Sequence, residues 1–312
     1  MKRMSFVASA FAAATIGPAV AQTPAPLVVR CSGTGADDAA PLLYAQKAGL
    51  FRAAGFETTY ERSNSGAATI AAVVGGAVDL GKSSMGSLIA ARAHNVDVKI
   101  HAGGALFGPH DSGDVMLVIS PNALIKDGKD LNGKIISVPS LGDQNTLAVK
   151  AWVDTHGGDS RTLSFTEIPS SAAAAAVAQG RVVAAALVPP FVAHAVNDGT
   201  VKILANVFTA ISPRFLETAW FTTGEYANRN RELVLRFGKI IGTAAAYNNA
   251  HPSETADLLA AFTGVSSASI LQTGISYNAT SVNTSDIQPL IDAMAKYSLI
   301  DRRFSAADFL FK

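Results

Sequence analysis

The stretch Pro41-Leu42-Leu43-Tyr44-Ala45-Gln46-Lys47-Ala48-Gly49-Leu50-Phe51-Arg52-Ala53-Ala54-Gly55-Phe56 decides the reading of this chain. It predicts an amphipathic helix that breaks at Gly49, makes one further turn through Phe51 and stops at Gly55. Glycine is the residue that ends helices most readily, because it enters the left-handed region without a Cβ penalty. Strands flank the helix, an apolar one over 27–31 before it and another over 56–61 after it. The result is a β-α-β unit.

Upstream of that unit lies an export signal. Lys2 and Arg3 form a charged start, residues 4–16 an apolar run, and Ala19-Val20-Ala21 a small-x-small cleavage site before Gln22. The apolar run is shorter than the ~18 residues a membrane span needs. Cys31 follows Val28-Val29-Arg30, which is not a lipobox, so the mature chain is expected to be soluble and periplasmic. Losing Lys2 and Arg3 leaves 23 of 25 basic residues against 24 acidic ones, a formal charge of −1. That balance carries no basic stripe for a nucleic acid. Charged residues make up 16% of the chain, below the ~25% usual for soluble domains, and alanine takes up much of the difference. A lone cysteine makes no internal disulfide, and Cys31 in an apolar strand reads as a buried thiol.

Helical and strand patterns alternate downstream. Helices are expected over 67–74, 87–94, 146–156 and 171–179. Strands are expected over 78–81, 98–102, 135–138, 163–168, 182–187 and 201–205. Short β-branched runs between helical patterns argue for parallel βαβ units. Pro189-Pro190 can open a further helix, and the C-terminal part reads as helical over 229–248, 252–262 and 286–297. The halves echo each other: Gly76-Ala77-Val78-Asp79-Leu80-Gly81 and Gly180-Arg181-Val182-Val183-Ala184-Ala185 each follow an Ala-rich helix and lead into a strand. Two α/β lobes make a clamshell, with residues 115–119 and 219–221 expected as its two crossings.

The helix-break-helix opening resembles that of solute-binding receptors of the nitrate/taurine/alkanesulfonate class, which includes the thiamine-pyrimidine-precursor (NMT1/THI5-like) proteins. Asp130-Leu131-Asn132-Gly133-Lys134-Ile135 resembles the "DLkGKkv" that opens the second lobe there, and Gly76 to Gly81 its "G-x-vDig". Val183 stands where the second lobe usually has aspartate. Val188, before the matching Pro189, stands where an acidic residue is common. The resemblance implies an α/β, type II periplasmic binding-protein clamshell with a two-strand hinge and a helical C-terminal tail. Residues 1–21 would be the signal, 22–115 with 220–312 the first lobe, and 116–219 the second. It implies a monomeric receptor that uses no cofactor and docks transiently on an inner-membrane ABC permease. Its ligand would be a small organic anion, zwitterion or heteroaromatic. The alternative is an enzyme on the same fold, similar to the thiamine-pyrimidine synthase, whose cysteine-rich motif is absent here.

Gly76-Ala77-Val78-Asp79-Leu80-Gly81-Lys82-Ser83 also matches the P-loop string G-x-x-x-x-G-K-[ST] letter for letter. A P-loop needs a strand before the first glycine and an open nest of N–H groups between. Here a helix precedes it and residues 78–80 read as strand, so nucleotide binding is not expected. The six histidines lack helical i, i+4 pairing and no Cys/His cluster exists. Pro109-His110-Asp111-Ser112-Gly113-Asp114 reads as an exposed hinge loop of ordinary turn residues. No G-x-S-x-G elbow is present.

Ligands of open α/β sheets sit beyond the carboxyl ends of the strands. The turns expected there are Ser32-Gly33-Thr34-Gly35, Ser63-Asn64-Ser65-Gly66, Lys82-Ser83-Ser84 and 140–146, all small and polar. They nominate Gly33, Thr34, Asp37, Asn64, Ser65, Gly66, Lys82, Ser83, Ser84, Gly142, Asn145, Thr146 and Pro189. Serine and asparagine there also serve as helix N-caps. Lys82 would pair an anion, whereas Asp37, Asp38 and Asp143 would suit an ammonium group. Phe107, Phe191 and Trp220 are candidates to cover an apolar ligand body, or core residues.

Overall fold

A computed structural model of the chain describes residues 27–109 and 115–311. The expected signal over 1–21, the cut before Gln22 and residues 110–114 of the expected loop lie outside them. The chain first runs through β1 (Leu27–Thr34), β2 (Phe56–Ser63), β3 (Leu80–Ser84), β4 (Val98–Gly103) and the short β5 (Leu106–Phe107). It continues through β6 (Met116–Ile119), β7 (Ile135–Val138), β8 (Ser164–Glu167), β9 (Ala184–Leu187) and β10 (Lys202–Asn206). It returns through β11 (Phe215–Leu216) and β12 (Thr218–Thr223).

The opening unit forms as its glycines dictate. Helix Ala40–Lys47 gives way to Gly49 at φ +69°, one turn follows over Leu50–Ala53, and Gly55 at φ +86° releases the chain into β2. Leu42, Ala45 and Phe51 are buried. The Phe51 ring lies 5.4 Å from both Phe56 and Phe237, which ties the turn to its own strand and to the C-terminal helix Arg231–Ala250.

Two five-stranded sheets result. The first has the order β2-β1-β3-β12-β4, with β1 parallel to β2 and β3, and β12 antiparallel to its neighbours. The second has the order β10-β6-β9-β7-β8, with β7 parallel to β8 and β9, and β6 antiparallel to β9 and β10. Helices pack on both, and the C-terminal helices return to the first.

Two expectations need correction. Residues 115–119 and 219–221 do not form the crossings: Met116–Ile119 is a strand of the second sheet and Thr218–Thr223 one of the first. Ala219, Trp220 and Phe221 are all buried because β12 is paired on both sides. The passages between sheets run instead through β5 and β11, which pair with each other, Phe215 opposite Phe107 and Leu216 opposite Leu106. The strand expected over 78–81 begins later, at Leu80, and runs to Ser84. Arg30 causes the delay. Its guanidinium donates to the carbonyls of Gly76 and Ala77 and forms a two-point pair with Asp79, which holds residues 76–79 as a turn. The last four residues of the P-loop string, Leu80 to Ser83, are therefore sheet, and Lys82 does not start a helix.

Candidate functional site

Six parallel strand ends meet around one cavity of about 250 Å³. Thr34 to Asp38 follow β1, Ser63 to Gly66 follow β2, and Ser84 ends β3. From the second sheet, Ser140 to Asn145 lie beyond β7, Pro169 to Ser171 beyond β8, and Val188 to Phe191 beyond β9. Ala105, Glu217 and Thr218 contribute from the crossings and Ser276 from the C-terminal part.

Of the nominated residues, Thr34, Asp37, Asn64, Gly66, Ser84, Asn145 and Pro189 line this cavity. The others stand behind its wall or in the core. Ser65 caps helix Gly66–Val74 by accepting from the Ala68 amide, and Gly142 (φ +69°) shapes a turn. Thr146 donates its amide to Asp143. Gly33, Lys82 and Ser83 are paired within the sheet, between β1, β3 and β12. Lys82 is 1% exposed and bonded to Asp38, so it is neither a surface lysine nor open to an anion. Phe107 belongs to a cluster with Phe208 and Phe215, at 5.8 and 5.2 Å. Trp220 lies 5.2 Å from Phe237 and 5.9 Å from Tyr60 in the core.

Sequence reasoning omitted several lining residues. Ser170 lies in a strand-to-helix turn of the same kind as those nominated, so the same rule reaches it. Arg62, Glu217, Thr218 and Ser276 have no local signal, because the topology brings them from the end of β2, a crossing and a segment more than 200 residues downstream of β1.

The wall is rich in carboxylates. Asp37 and Asp38 are 2% and 3% exposed. Asp37 accepts from the Ser276 amide at 2.6 Å and its hydroxyl at 3.0 Å, and Asp38 accepts from Lys82 and from the Thr218 hydroxyl at 2.5 Å. Burial, with the neighbouring Asp38 charge behind it, pushes Asp37 up to about 7 against the Ser276 bonds that pull it down. Asp143, at 1% exposed, caps helix Gln144–Thr155 through the Asn145 and Thr146 amides. Burial lifts it to about 6, opposed by those bonds. Three side-chain atoms, the Ser140 hydroxyl, Asn145 Oδ1 and the Ser170 hydroxyl, are buried without a hydrogen-bond partner. Such atoms are uncommon in folded proteins and call for an explanation.

The two sides touch at both ends of the cavity. Gln144 accepts from the Gly86 amide at 2.5 Å and donates to the Glu217 carbonyl at 2.7 Å. At the other end Phe191, like Leu43, packs against the buried cluster of Ala40, Leu259 and Ile270, while Asn197 donates to Gln272 at 2.7 Å. Among the described residues no group of histidine, cysteine and acidic side chains is placed to hold a metal, and no helix is long and apolar enough to cross a membrane.

Two mixed sheets joined by a double crossing, with a cleft at the strand ends, define the fold of the periplasmic binding proteins. The chain aligns with the alkanesulfonate-binding protein SsuA from Xanthomonas axonopodis pv. citri bound to MOPS (TM-score 0.77, 19% identity, 93% of this chain and 99% of that one). It is also similar to the aliphatic sulphonate binding protein SsuA from Escherichia coli (TM-score 0.72, 18% identity, 92% and 93% covered). A third likeness is to the nitrate-binding protein NrtA from Synechocystis PCC 6803 (TM-score 0.75, 13% identity, 88% and 82% covered). The chain belongs to the NMT1/THI5-like family, whose model matches residues 36–255. No curated protein sequence matches it.

Proposed function

We propose that this protein is the solute-binding receptor of an ABC importer, exported to the periplasm with its first 21 residues removed. In this reading residues 22–115 with 220–312 form one lobe and 116–219 the other. As a monomer, it closes on a small molecule and presents it to an inner-membrane permease. The observation that carries the reading is the cavity itself, walled by strand ends from both sheets, with three buried polar atoms on its lining residues that no described residue satisfies. A ligand bound between the lobes would complete those bonds. The sulfonate and nitrate receptors that share the fold point the same way.

Of the ligand classes expected from the sequence, a bare anion fits least well. Asp37, Asp143 and Glu217 line the wall against the single cation Arg62, because Lys82 is already committed to Asp38. A zwitterion or an N–H-bearing heteroaromatic meets both donors and acceptors. Taking the ~30 Å³ of liquid volume per water as a guide, the space suits a ligand on the order of ten non-hydrogen atoms. The enzyme alternative needs a nucleophile with an adjacent base, and among the described residues neither histidine nor cysteine lines the cavity.

The test is a thermal-shift screen over amines, amino acids, sulfonates, carboxylates, nitrate and nucleobases, followed by small-angle scattering of the free and saturated protein. A stabilising compound recovered unchanged, with compaction of the monomer on saturation, is expected. Conversion of that compound to product, or saturation without compaction, would refute the receptor reading.

A further inference from the structure

The donors and acceptors of the cavity are segregated, and the segregation constrains what can bind. On the first-sheet side the Asp37 carboxylate is held only by Ser276, and it lines the cavity. Asn145 Oδ1 lies across the space on a residue 4% exposed, an acceptor with nothing to accept from, since the amide nitrogen of the same side chain is spent on Asp143. Beyond β8 the polarity reverses. Helix Ser170–Ala178 has no side-chain cap; the Ala172 amide donates to the Pro169 carbonyl at 2.8 Å, and the Ser170 and Ser171 amides before it look for an acceptor. The hydroxyls of Ser170 and Ser140, 8% and 2% exposed, stand beside it unpartnered.

We infer that Asp37 is the specificity-determining residue of this cavity, reading a protonated nitrogen of a small amine or amidine whose carbonyl-type acceptor lies at Ser140 and the start of helix Ser170–Ala178. This rests on the receptor reading and sharpens it. Other groups near Asp37 do not supply the charge it lacks. Asp38 is neutralised by Lys82, Asp143 and Glu217 are acidic, and Arg62 is directed to the Phe262 carbonyl at 3.0 Å and lies over the Phe262 ring. Helix Pro252–Thr263, packed on the turn carrying Asp37, has only Glu254 and Asp257 as charged residues, both exposed. Lys47 ends the following helix and is exposed as well.

Capture of such a ligand is linked to a proton. Where Asp37 is protonated, an ammonium ligand displaces that proton to solvent, and the product is an ammonium–carboxylate pair; no other bond changes. Burial holds Asp37 near 7 in the free protein. Affinity for a permanently protonated amine therefore rises with pH through that region and levels off above it. From pH 6 to pH 8 the ionised fraction grows about tenfold, and the association constant with it.

The experiment uses four matched probes of the mature protein's cavity: 4-(aminomethyl)benzamide, 4-methylbenzamide, 4-methylbenzoate and 4-methylbenzenesulfonate. Calorimetry at pH 6 and pH 8, in two buffers of different ionisation enthalpy, reads affinity and protons released. The amine is expected to bind tightest, about tenfold better at pH 8 than at pH 6, with close to one proton released at pH 6. Asp37→Asn should remove most of the pH dependence, leaving at most the roughly twofold change that Asp143 near 6 supplies, and at least tenfold of the affinity at pH 8, while a melting curve shows the variant folded. Equal or tighter binding of the sulfonate, or an Asp37→Asn variant that keeps the pH dependence, would overturn the inference and leave the receptor reading intact. Binding by none of the four would overturn it too, with the receptor reading still judged by closure on hits from the wider screen. Turnover of a probe would instead remove the receptor reading itself.

Discussion

Gly86→Ala tests how the two walls meet. Gly86 opens helix Met85–Ala93 directly against the start of helix Gln144–Thr155. A Cβ on Gly86 would lie 2.1 Å from the Gln144 amide nitrogen, 2.8 Å from the Asp143 carbonyl carbon and 2.9 Å from its Cα. These are backbone atoms, so no rotamer change relieves the clash. Restoring a 3.4 Å contact needs the helix starts to part by about 1.3 Å, which breaks the Gly86–Gln144 bond and strains the Gln144–Glu217 bond. Overpacking costs ~1–3 kcal/mol and each lost hydrogen bond ~0.5–1.5 kcal/mol. The better helix propensity of alanine returns at most ~1 kcal/mol. The net loss is about 1–5 kcal/mol, or roughly 2–8 °C in Tm at ~2.1 cal/mol/K of unfolding entropy per residue. Differential scanning calorimetry of wild type, Gly86→Ala and Gln144→Ala reads it, with Gln144→Ala removing the bonds without the clash. A Gly86→Ala protein that melts within about 1 °C of wild type, or no lower than Gln144→Ala, would refute the claim that this contact is backbone-tight.

Two further outcomes follow from the buried charges. Lys82→Met should destabilise the protein by ~3–5 kcal/mol, because it strands Asp38 without its cation, and ATP with magnesium should leave the wild-type Tm unchanged. Denaturation showing a loss below 1 kcal/mol, or a nucleotide shift abolished by Lys82→Met, would contradict the assignment of that lysine to the sheet. Asp37, held near 7 against an ordinary value near 4, keeps a proton in the folded state that the unfolded chain releases. Its contribution to stability is therefore full below about pH 4 and is lost as pH rises toward 7, by a few kcal/mol. Relative to wild type, Asp37→Asn should gain stability between pH 5 and pH 8 in urea titrations; a constant difference would show that Asp37 titrates normally.

Where the sequence carried local conformational constraints, the fold could be read from it. Gly49 and Gly55 sit at positive φ and delimit the turn they were expected to delimit. The echo between halves is also real in the backbone: Gly76 and Gly180 have φ +73° and +67°, and β3 and β9 each begin four residues later. What failed depended on partners far away in sequence. The start of β3 is set by Arg30 reaching residues 76–79, and an arginine on another strand leaves no mark on the periodicity of residues 78–81. Likewise 219–221 is an apolar run whether it crosses between sheets or fills one; its pairing to both β3 and β4 settles which.

The site divides along the same line. A rule about strand ends found the turns after β1, β2, β3 and β7, since small polar residues before a helix are visible in the string. It could not tell which side chains face the cleft. On β3 Lys82 and Ser84 share one face of the strand, yet Lys82 is spent on Asp38 behind the wall while Ser84, at the strand end, lines the cavity. The position noted as unusual, Val188, does line the cavity. With valine there, the second sheet's third strand end brings no carboxylate, and the acidic side chains on the wall come from Asp37, Asp38, Asp143 and Glu217 instead. The Asp37 oxygens are bonded by a single residue, Ser276, delivered by a segment more than 200 residues away. The strand ends place the cleft, then, while its charge depends on side chains brought together by long-range packing, and ligand preference can change without the fold changing.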